Sequence, residues 1–452
     1  MSQPDRNWAP DSWKDRVALQ QPSYPDAGQL QQVLDELTKL PPLVTSWEVE
    51  SLRGQLAEVA QSKMFLLQGG DCAEIFSECD SSIIASKLKI LLQMSLVISN
   101  GSRKKVVRVG RFAGQYTKPR SQDMEEADGI RMPSYRGDSV NAAAFESEAR
   151  RPDPQRLLRA YERSALTLNF IRSLVDGGFA DLHHPEYWKL GFVAHSPQAA
   201  EYQKIVDSIS HSLNLLQTLT GANMGEVHRV DFFTSHEGLH LPYEQAQTRR
   251  VPRRPGWYNL TTHMPWIGDR TRDPQGAHVE YFRGISNPIG MKVGPTLAPD
   301  ELVRLLEVLN PRRQPGRITL IHRFGAKRIE DCLPSLIQAV RQAGQRVVWC
   351  CDPMHGNTRK TSSGIKTRSF QDILSEVESA FEIHSDLGTY LGGVHCELTG
   401  ENVTECLGGA RDLKEEDLKR AYKSCVDPRL NYEQALELAF LIARRMEAGG
   451  RT

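Results

Sequence analysis

Long apolar runs are missing from this 452-residue chain. The most apolar helical stretch, Ile90 to Ile98, is short and interrupted by Gln93 and Ser95, so no segment is expected to span a bilayer. The N-terminus, Met1-Ser2-Gln3-Pro4-Asp5, shows no hydrophobic signal core. Net charge is missing too. Lys plus Arg number 56 and Asp plus Glu 56, which leaves no global field to gather nucleic acid or an anionic membrane. Any anion binding has to come from local clusters. The eight cysteines, at 72, 79, 332, 350, 351, 396, 406 and 425, form no paired framework. They are expected to be mostly buried free thiols in a cytoplasmic, reducing compartment. There is no short-period repeat and no low-complexity tract. Only 39% of residues are apolar and 7% aromatic, which suits a globular chain with many exposed helix faces.

What is present is a rhythm of short apolar runs, each ending in polar turn residues. Val347-Val348-Trp349-Cys350-Cys351 stops at Asp352-Pro353-Met354-His355, as a strand buried on both faces would. Similar runs are Met64 to Gly70, Lys105 to Arg111, Val230 to Thr234, His263 to Gly268, Asn287 to Val293, Arg317 to Arg323 and Gly392 to Leu398. Helical patterns lie between several of them: Ser81 to Asn100 with Gly101 as its stop, Pro299 to Leu309, Ile329 to Ala343 and Arg368 to Phe381. Tyr432 to Arg445 closes the chain as a helix. Eight strands in mostly β-then-α order predict an α/β fold, a (β/α)8 TIM barrel. Residues 1–55, Gln- and Pro-rich with a helical patch at Leu30 to Leu40, read as an N-terminal extension on the catalytic barrel of 56–452. About 122–229 is a large helical insertion after the second strand, with helices at Arg156 to Val175 and Ala199 to Leu219.

In such barrels the C-terminal ends of the strands carry the chemistry. Strand one ends at Asp71-Cys72-Ala73-Glu74, strand seven at Asp352 and His355, and strand eight carries Glu397, with Asp427 beyond it. A thiolate, an imidazole and two carboxylates on separate strand ends could converge on one borderline divalent cation with an open position. Taken one at a time, the same residues are a buried thiol and surface carboxylates. A second set is cationic: Arg111, then Lys118-Pro119-Arg120-Ser121, Asp269-Arg270, Lys292 and Arg323. In a neutral chain, cations at four strand ends mark a pocket for a polyanionic small molecule. The turn-rich Met132-Pro133-Ser134-Tyr135-Arg136-Gly137-Asp138 suits either a lid or a surface loop.

At these residues the chain resembles the type II, plant-like 3-deoxy-D-arabino-heptulosonate 7-phosphate (DAHP) synthases. The matching stretches are QGGDCAE (68–74), GRFAGQYTKPRS (110–121), PSYRGD (133–138), TSHEGL (234–239), WIGDRTR (266–272), GAHVEYFRGISNPIGMKVGPT (276–296), CDPMHGNT (351–358), GGVHCELTGENVTECLGGA (392–410) and DPRLN (427–431). They run in order over nearly the whole chain. The resemblance implies the first step of the shikimate pathway, an aldol-like condensation of phosphoenolpyruvate with erythrose 4-phosphate. It implies metal ligands at Cys72, His355, Glu397 and Asp427. The cation would be manganese or cobalt most readily, with magnesium, iron or zinc also fitting. It places phosphoenolpyruvate contacts at Arg111, Arg270, Lys292 and Arg323, with Asp269 as their acidic neighbour. Sugar-phosphate contacts fall on Lys118, Pro119, Arg120 and Ser121, and Asp352 stands close to the metal. Lys292, or a water held by the metal, is the candidate for proton handling, with Arg111 and Asp352 in the catalytic set.

The resemblance further implies a homodimer or homotetramer, aromatic amino acid effectors and, in some members, a chorismate mutase partner. Three positions depart from the pattern. Asp269 stands where Glu is usual, His322 and Phe324 flank Arg323 where Ser and Met are common, and Val426 replaces a Cys that often precedes the last metal ligand. None deletes a catalytic group. Two alternatives share these residues: a synthase taking an amino-sugar phosphate in a secondary-metabolite pathway, and a non-catalytic regulatory homologue.

Overall fold

The computed structural model describes residues 8–127, 129–177, 199–207 and 231–449. Most of the expected helix Ala199 to Leu219, and much of the insertion, lie outside the described residues. The eight expected strands are present as β1 (Met64–Gly70), β2 (Lys105–Arg111), β3 (Phe233–Thr234), β4 (Trp266–Ile267), β5 (Ile289–Val293), β6 (Ile318–His322), β7 (Val348–Cys351) and β8 (Leu391–Glu397). They form one parallel sheet in the order β3-β2-β1-β8-β7-β6-β5-β4. The two edges meet just beyond β3. Glu237 bridges Trp266 in parallel, Trp266 N–H donates to the His236 carbonyl (3.0 Å), and Gly238 N–H donates to the Trp266 carbonyl (3.0 Å). The sheet is thereby a barrel.

β3 and β4 are much shorter than their apolar runs suggest. Pro265 has no N–H to give to the ladder, and the Thr234 carbonyl takes both His263 and Met264 N–H (3.2 Å each). Regular pairing is confined to the last residues of each run.

Alternation along the strands sorts side chains to two faces. Leu66, Val107, Val109, Met264, Trp266, Ile321, Val348 and Cys350 cluster inside the barrel. Phe65, Leu67, Val106, Leu320, Trp349 and Cys351 belong to the layer beneath the helices. The inner cluster is completed from below by a helix of the N-terminal region. Helix α1 is Ala27–Lys39, and α2 is Ser46–Val59, begun by a capping box between Thr45 and Glu48. On α2, Leu52, Leu56 and Val59 join the inner cluster, so α2 plugs the barrel floor. The chain that precedes the barrel is therefore part of its core. Leu56 is fully buried. Leu56→Ala should cost about 2–5 kcal/mol of unfolding free energy. A denaturation curve that differed from wild type by less than about 1 kcal/mol would show the plug to be dispensable.

Helices α3 (Ser81–Ser102), α4 (Gln155–Asp176), α5 (Leu241–Ala246), α6 (Ala277–Gly284), α7 (Pro299–Leu309), α8 (Ile329–Gln342), α9 (Phe370–Asp386) and α10 (Tyr432–Gly449) follow. Two expectations about α3 fail. Gly101 does not stop it: the helix continues to Ser102, and Arg103 supplies the left-handed C-cap (φ 57°). The glycine is a close-approach residue, since a Cβ there would lie 2.7 Å from the Cβ of Ala443 on α10. And by length and composition α3 is apolar enough to cross a membrane. Its Ile84, Leu88, Leu91, Leu92 and Ile98 are buried in the core shared with β1 and α10.

Candidate active site

The register of the strands decides which side chains meet at the top of the barrel. Gly70 at the end of β1 pairs with Arg111 on one side and Glu397 on the other. The two side chains lean across it and meet at 3.3 Å (Arg111 Nη2 to Glu397 Oε1). Beneath them lies a buried hydrogen-bonded chain. Arg111 donates to His395 Nε2 (2.8 Å), His395 Nδ1 donates to Gln68 Oε1 (2.7 Å), and Gln68 Nε2 donates to Ser235 Oγ (2.7 Å). Burial, then the Lys292 and Arg111 charges, push His395 far below the usual imidazole range, so the ring is neutral and Nε2 is free to accept. Arg111 also lies over the Trp266 ring at 5.2 Å. A side chain with this many restraints is preorganised.

Cys72, His355, Glu397 and Asp427 converge: their ligand atoms all lie within 4.8 Å of one another. His355 Nε2 faces Glu397 Oε1 at 3.0 Å, while its Nδ1 is held by Asp352 Oδ2 at 2.7 Å. Asp352 therefore orients the imidazole and stands one step outside the quartet. It also pairs with Lys292 and accepts the Met354 and His355 backbone N–H groups. Arg368, fully buried on the hairpin 358–368, holds Glu397 Oε2 at 2.7 Å. Burial opposes ionisation of Glu397 and Asp427. His355 and Arg368 hold the first well below the carboxylate range, and Lys118 does the same for the second. Burial, then the Glu397 charge, push the Cys72 thiol up. The quartet thus contains two ionised carboxylates and a thiol whose ionisation needs a neighbouring cation.

Lys118 shows how strongly the space favours one. Its ammonium reaches in to Asp427 Oδ2 (2.5 Å) and to the Cys72 sulfur. Lys366 holds the other oxygen of Asp427 at 2.9 Å. One soft, one borderline and two hard donors, arranged around a point already occupied by positive charge, fit a divalent cation.

Above the quartet opens a cleft of about 370 Å³, lined by Arg111, Lys118, Pro119, Arg120, Ser121, Asp269, Arg270, Lys292 and Arg323 as well as Cys72, His355 and Asp427. Asp352 and Glu397, both wholly buried, stand behind this lining, against Lys292 and His355. All the residues singled out from sequence thus meet at one barrel mouth. Lys118 lines the cleft with Arg120 and also reaches into the quartet. Asp269 is an acidic neighbour of the cations, as expected, taking Arg323 Nη1 at 3.3 Å and Arg272 Nε at 3.1 Å. Arg270 donates to Ser121 Oγ at 2.7 Å, and Arg120 pairs with Glu125 at 3.0 Å. Burial, set against the Asp352 charge, lowers Lys292 from the usual lysine range.

The segment carrying these cations is built locally. Glu74 accepts the consecutive backbone N–H groups of Ala113, Gly114 and Gln115 (2.6–2.8 Å), which fixes the turn after β2. The 132–138 loop is a buttress. The Arg136 carbonyl takes Lys118 N–H at 2.8 Å, and Gly137 (φ 100°) sits so close that a Cβ would strike the Tyr116 carbonyl. From the N-terminal region, Gln20 makes a two-way clasp on the Arg120 backbone (2.8 and 3.0 Å).

Several residues of the site escaped the reading from sequence. Glu237 follows β3 in TSHEGL and lines the cleft. Burial raises its carboxyl against the pull of Lys118 and Lys292. Its position past a strand end was a usable signal. Lys366 and Arg368 come from a hairpin after β7, and nothing in their spacing points to the quartet.

Comparison with known proteins identifies the family. Residues 8–443 match the model of the class-II DAHP synthetase family. A phospho-2-dehydro-3-deoxyheptonate aldolase of Neurospora crassa is 49% identical, covering 96% of this chain and 94% of that protein. One of Streptomyces coelicolor is 47% identical, with 96% of each chain covered. A third, of Mycolicibacterium smegmatis, is 44% identical over 96% of this chain and 94% of its own. On the match over almost its whole length, the chain belongs to the class-II DAHP synthetase family, a family of carbon–carbon bond-forming transferases.

Proposed function

We propose that the protein condenses phosphoenolpyruvate with erythrose 4-phosphate to DAHP and phosphate, with a divalent cation, manganese or cobalt, held by Cys72, His355, Glu397 and Asp427. The observation that supports this most is the coincidence of the four-donor cluster with Arg111, Arg270, Lys292 and Arg323 on one cleft. When bound, the cation would polarise the aldehyde oxygen as a Lewis acid. The chain's own groups do the rest. Arg111, Lys292, Arg270 and Arg323 grip the carboxylate and phosphate of phosphoenolpyruvate, and their fixed positions supply orientation and charge stabilisation without reorganisation. Arg120 and Ser121, at the outer rim, take the phosphate of the sugar, with Pro119 stiffening the segment between Lys118 and Arg120. Lys292 is the proton-handling group. Its lowered affinity for a proton and its pairing with Asp352 suit it to release a proton and take it back. Assembly as a homo-oligomer, feedback by an aromatic amino acid and a chorismate mutase partner rest on the family resemblance alone.

The test is consumption of phosphoenolpyruvate in the presence of manganese, with and without the second substrate. Loss of phosphoenolpyruvate is expected only when erythrose 4-phosphate is added, with phosphate and DAHP formed in equal amounts. No consumption with any sugar phosphate would mean a non-catalytic homologue. Consumption only with an amino-sugar phosphate would move the protein to a secondary-metabolite pathway.

A further inference from the structure

A second cluster of donor side chains lies outside the cleft, in the wall between the barrel and α9. The ligand atoms of His322 (end of β6), Cys351 (end of β7) and Glu376 (α9) all lie within 4.8 Å of one another, and all three residues are fully buried. His322 pairs with Cys351 in the strand register, and their side chains face the helices. Both ring nitrogens of His322 are buried without a hydrogen-bond partner. The ring stacks on Phe324 (5.7 Å between centroids, 15° between planes). Stacking accounts for the orientation of a neutral imidazole but leaves both nitrogens unsatisfied, which a folded core rarely tolerates.

We propose that His322, Cys351 and Glu376 form a second, closed metal site for a zinc-class cation, in the barrel wall behind the anion-binding cleft. The donor set of nitrogen, sulfur and oxygen is the mixture zinc accepts. The supporting contacts are those of a ligand set. Glu376 Oε1 is fixed by the Phe324 and Gly325 backbone N–H groups (2.9 Å each) and Oε2 by Asn357 Nδ2 (2.8 Å), which leaves one acceptor site, on Oε2, for a metal; burial raises the carboxyl to about 8, so ligation would release its proton. His384, on the same helix, offers a further donor. Its ring is 6.4 Å from that of His322, Thr389 Oγ1 holds its Nδ1 at 2.7 Å, and its Nε2 is buried and unpartnered. Burial pushes both His322 and His384 down to about 3, so each ring is in the neutral form that ligates metal. A cation here would tie together β6, β7 and α9, and through Gly325 and Asn357 the turns that carry Arg323 and His355.

The experiment counts metal. Wild type and His322→Ser are each loaded with zinc alone, dialysed, and analysed by elemental mass spectrometry. Wild type should retain one equivalent more than His322→Ser. Both proteins share the same cluster of Cys72, His355, Glu397 and Asp427, so the difference does not depend on what that cluster holds. Cobalt gives an independent signal: its thiolate absorption band should persist in Cys72→Ala and vanish in Cys72→Ala/His322→Ser. Equal zinc content in wild type and His322→Ser would overturn the proposal, as would a cobalt–thiolate band that survives in the double variant. Should His322→Ser fail to fold, Cys351→Ala carries the same zinc comparison.

Discussion

Cys72→Ala is expected to lower kcat by roughly three decades or more while leaving phosphoenolpyruvate binding within a few-fold of wild type. Cys72 is the soft donor of the proposed metal site, and the remaining imidazole and two carboxylates would make a weaker one that Lys118 already contests through Asp427. Loss of Lewis-acid stabilisation is worth several kcal/mol, and about 1.4 kcal/mol is tenfold in rate. The phosphoenolpyruvate grip should survive. Arg111 touches Cys72 through the backbone carbonyl (3.4 Å), which alanine keeps, and neither Lys292 nor Arg323 contacts the sulfur among the described hydrogen bonds. Metal content by elemental analysis and phosphoenolpyruvate affinity by calorimetry separate the two effects. Retention of full manganese content and kcat would remove Cys72 from the ligand set. Loss of both metal and phosphoenolpyruvate binding, with altered circular dichroism, would mean a folding defect instead.

Arg323→Lys should be nearly as damaging although the charge is kept. The guanidinium spans two fixed partners, Asp269 Oδ2 and the His355 carbonyl, each at 3.3 Å, and presents what remains of its planar fork to the cleft. A lysine ammonium cannot bridge those partners and offer a two-donor face at the same time. Losing one charge-assisted pair in a site sheltered from water should cost about 2–4 kcal/mol, or roughly one and a half to three decades of kcat/KM. The loss should appear with phosphoenolpyruvate as the varied substrate, whereas Arg120→Ala should raise KM chiefly for the sugar phosphate. If Arg323→Lys changed only the KM for erythrose 4-phosphate, the two anion sites would have to be exchanged. If neither constant moved, Arg323 would be a solvated charge at a strand end.

How much of this is legible in the sequence depends on the kind of interaction. Parallel strands buried on both faces are short apolar runs, and β1, β2 and β5 to β8 follow theirs closely. β3 and β4 do not, because pairing there is cut short by Pro265 and by a carbonyl shared between two N–H groups. The residues at the strand ends are legible because the barrel fold itself sends them to one mouth. Contacts made across the fold are another matter. The plug α2 spaces its buried Val49, Leu52, Leu56 and Val59 as a helix does, but nothing local says that this face fills a barrel floor. The chain Arg111–His395–Gln68–Ser235 joins residues of β2, β8 and β1 to one just past β3, and Arg368 reaches Glu397 from a hairpin. These depend on register and on side-chain reach, which a linear pattern does not contain. Lys118 is the instructive case. Its motif marks an anion site, yet its charge is drawn to the nearest buried carboxylate, Asp427.

A cation-dependent condensation at this barrel mouth is tested most directly by removal of the cation. Enzyme stripped with EDTA and assayed with both substrates should show no phosphoenolpyruvate consumption above background, and manganese or cobalt should restore it. Undiminished turnover by the stripped enzyme, with no metal detected in the sample, would contradict the account.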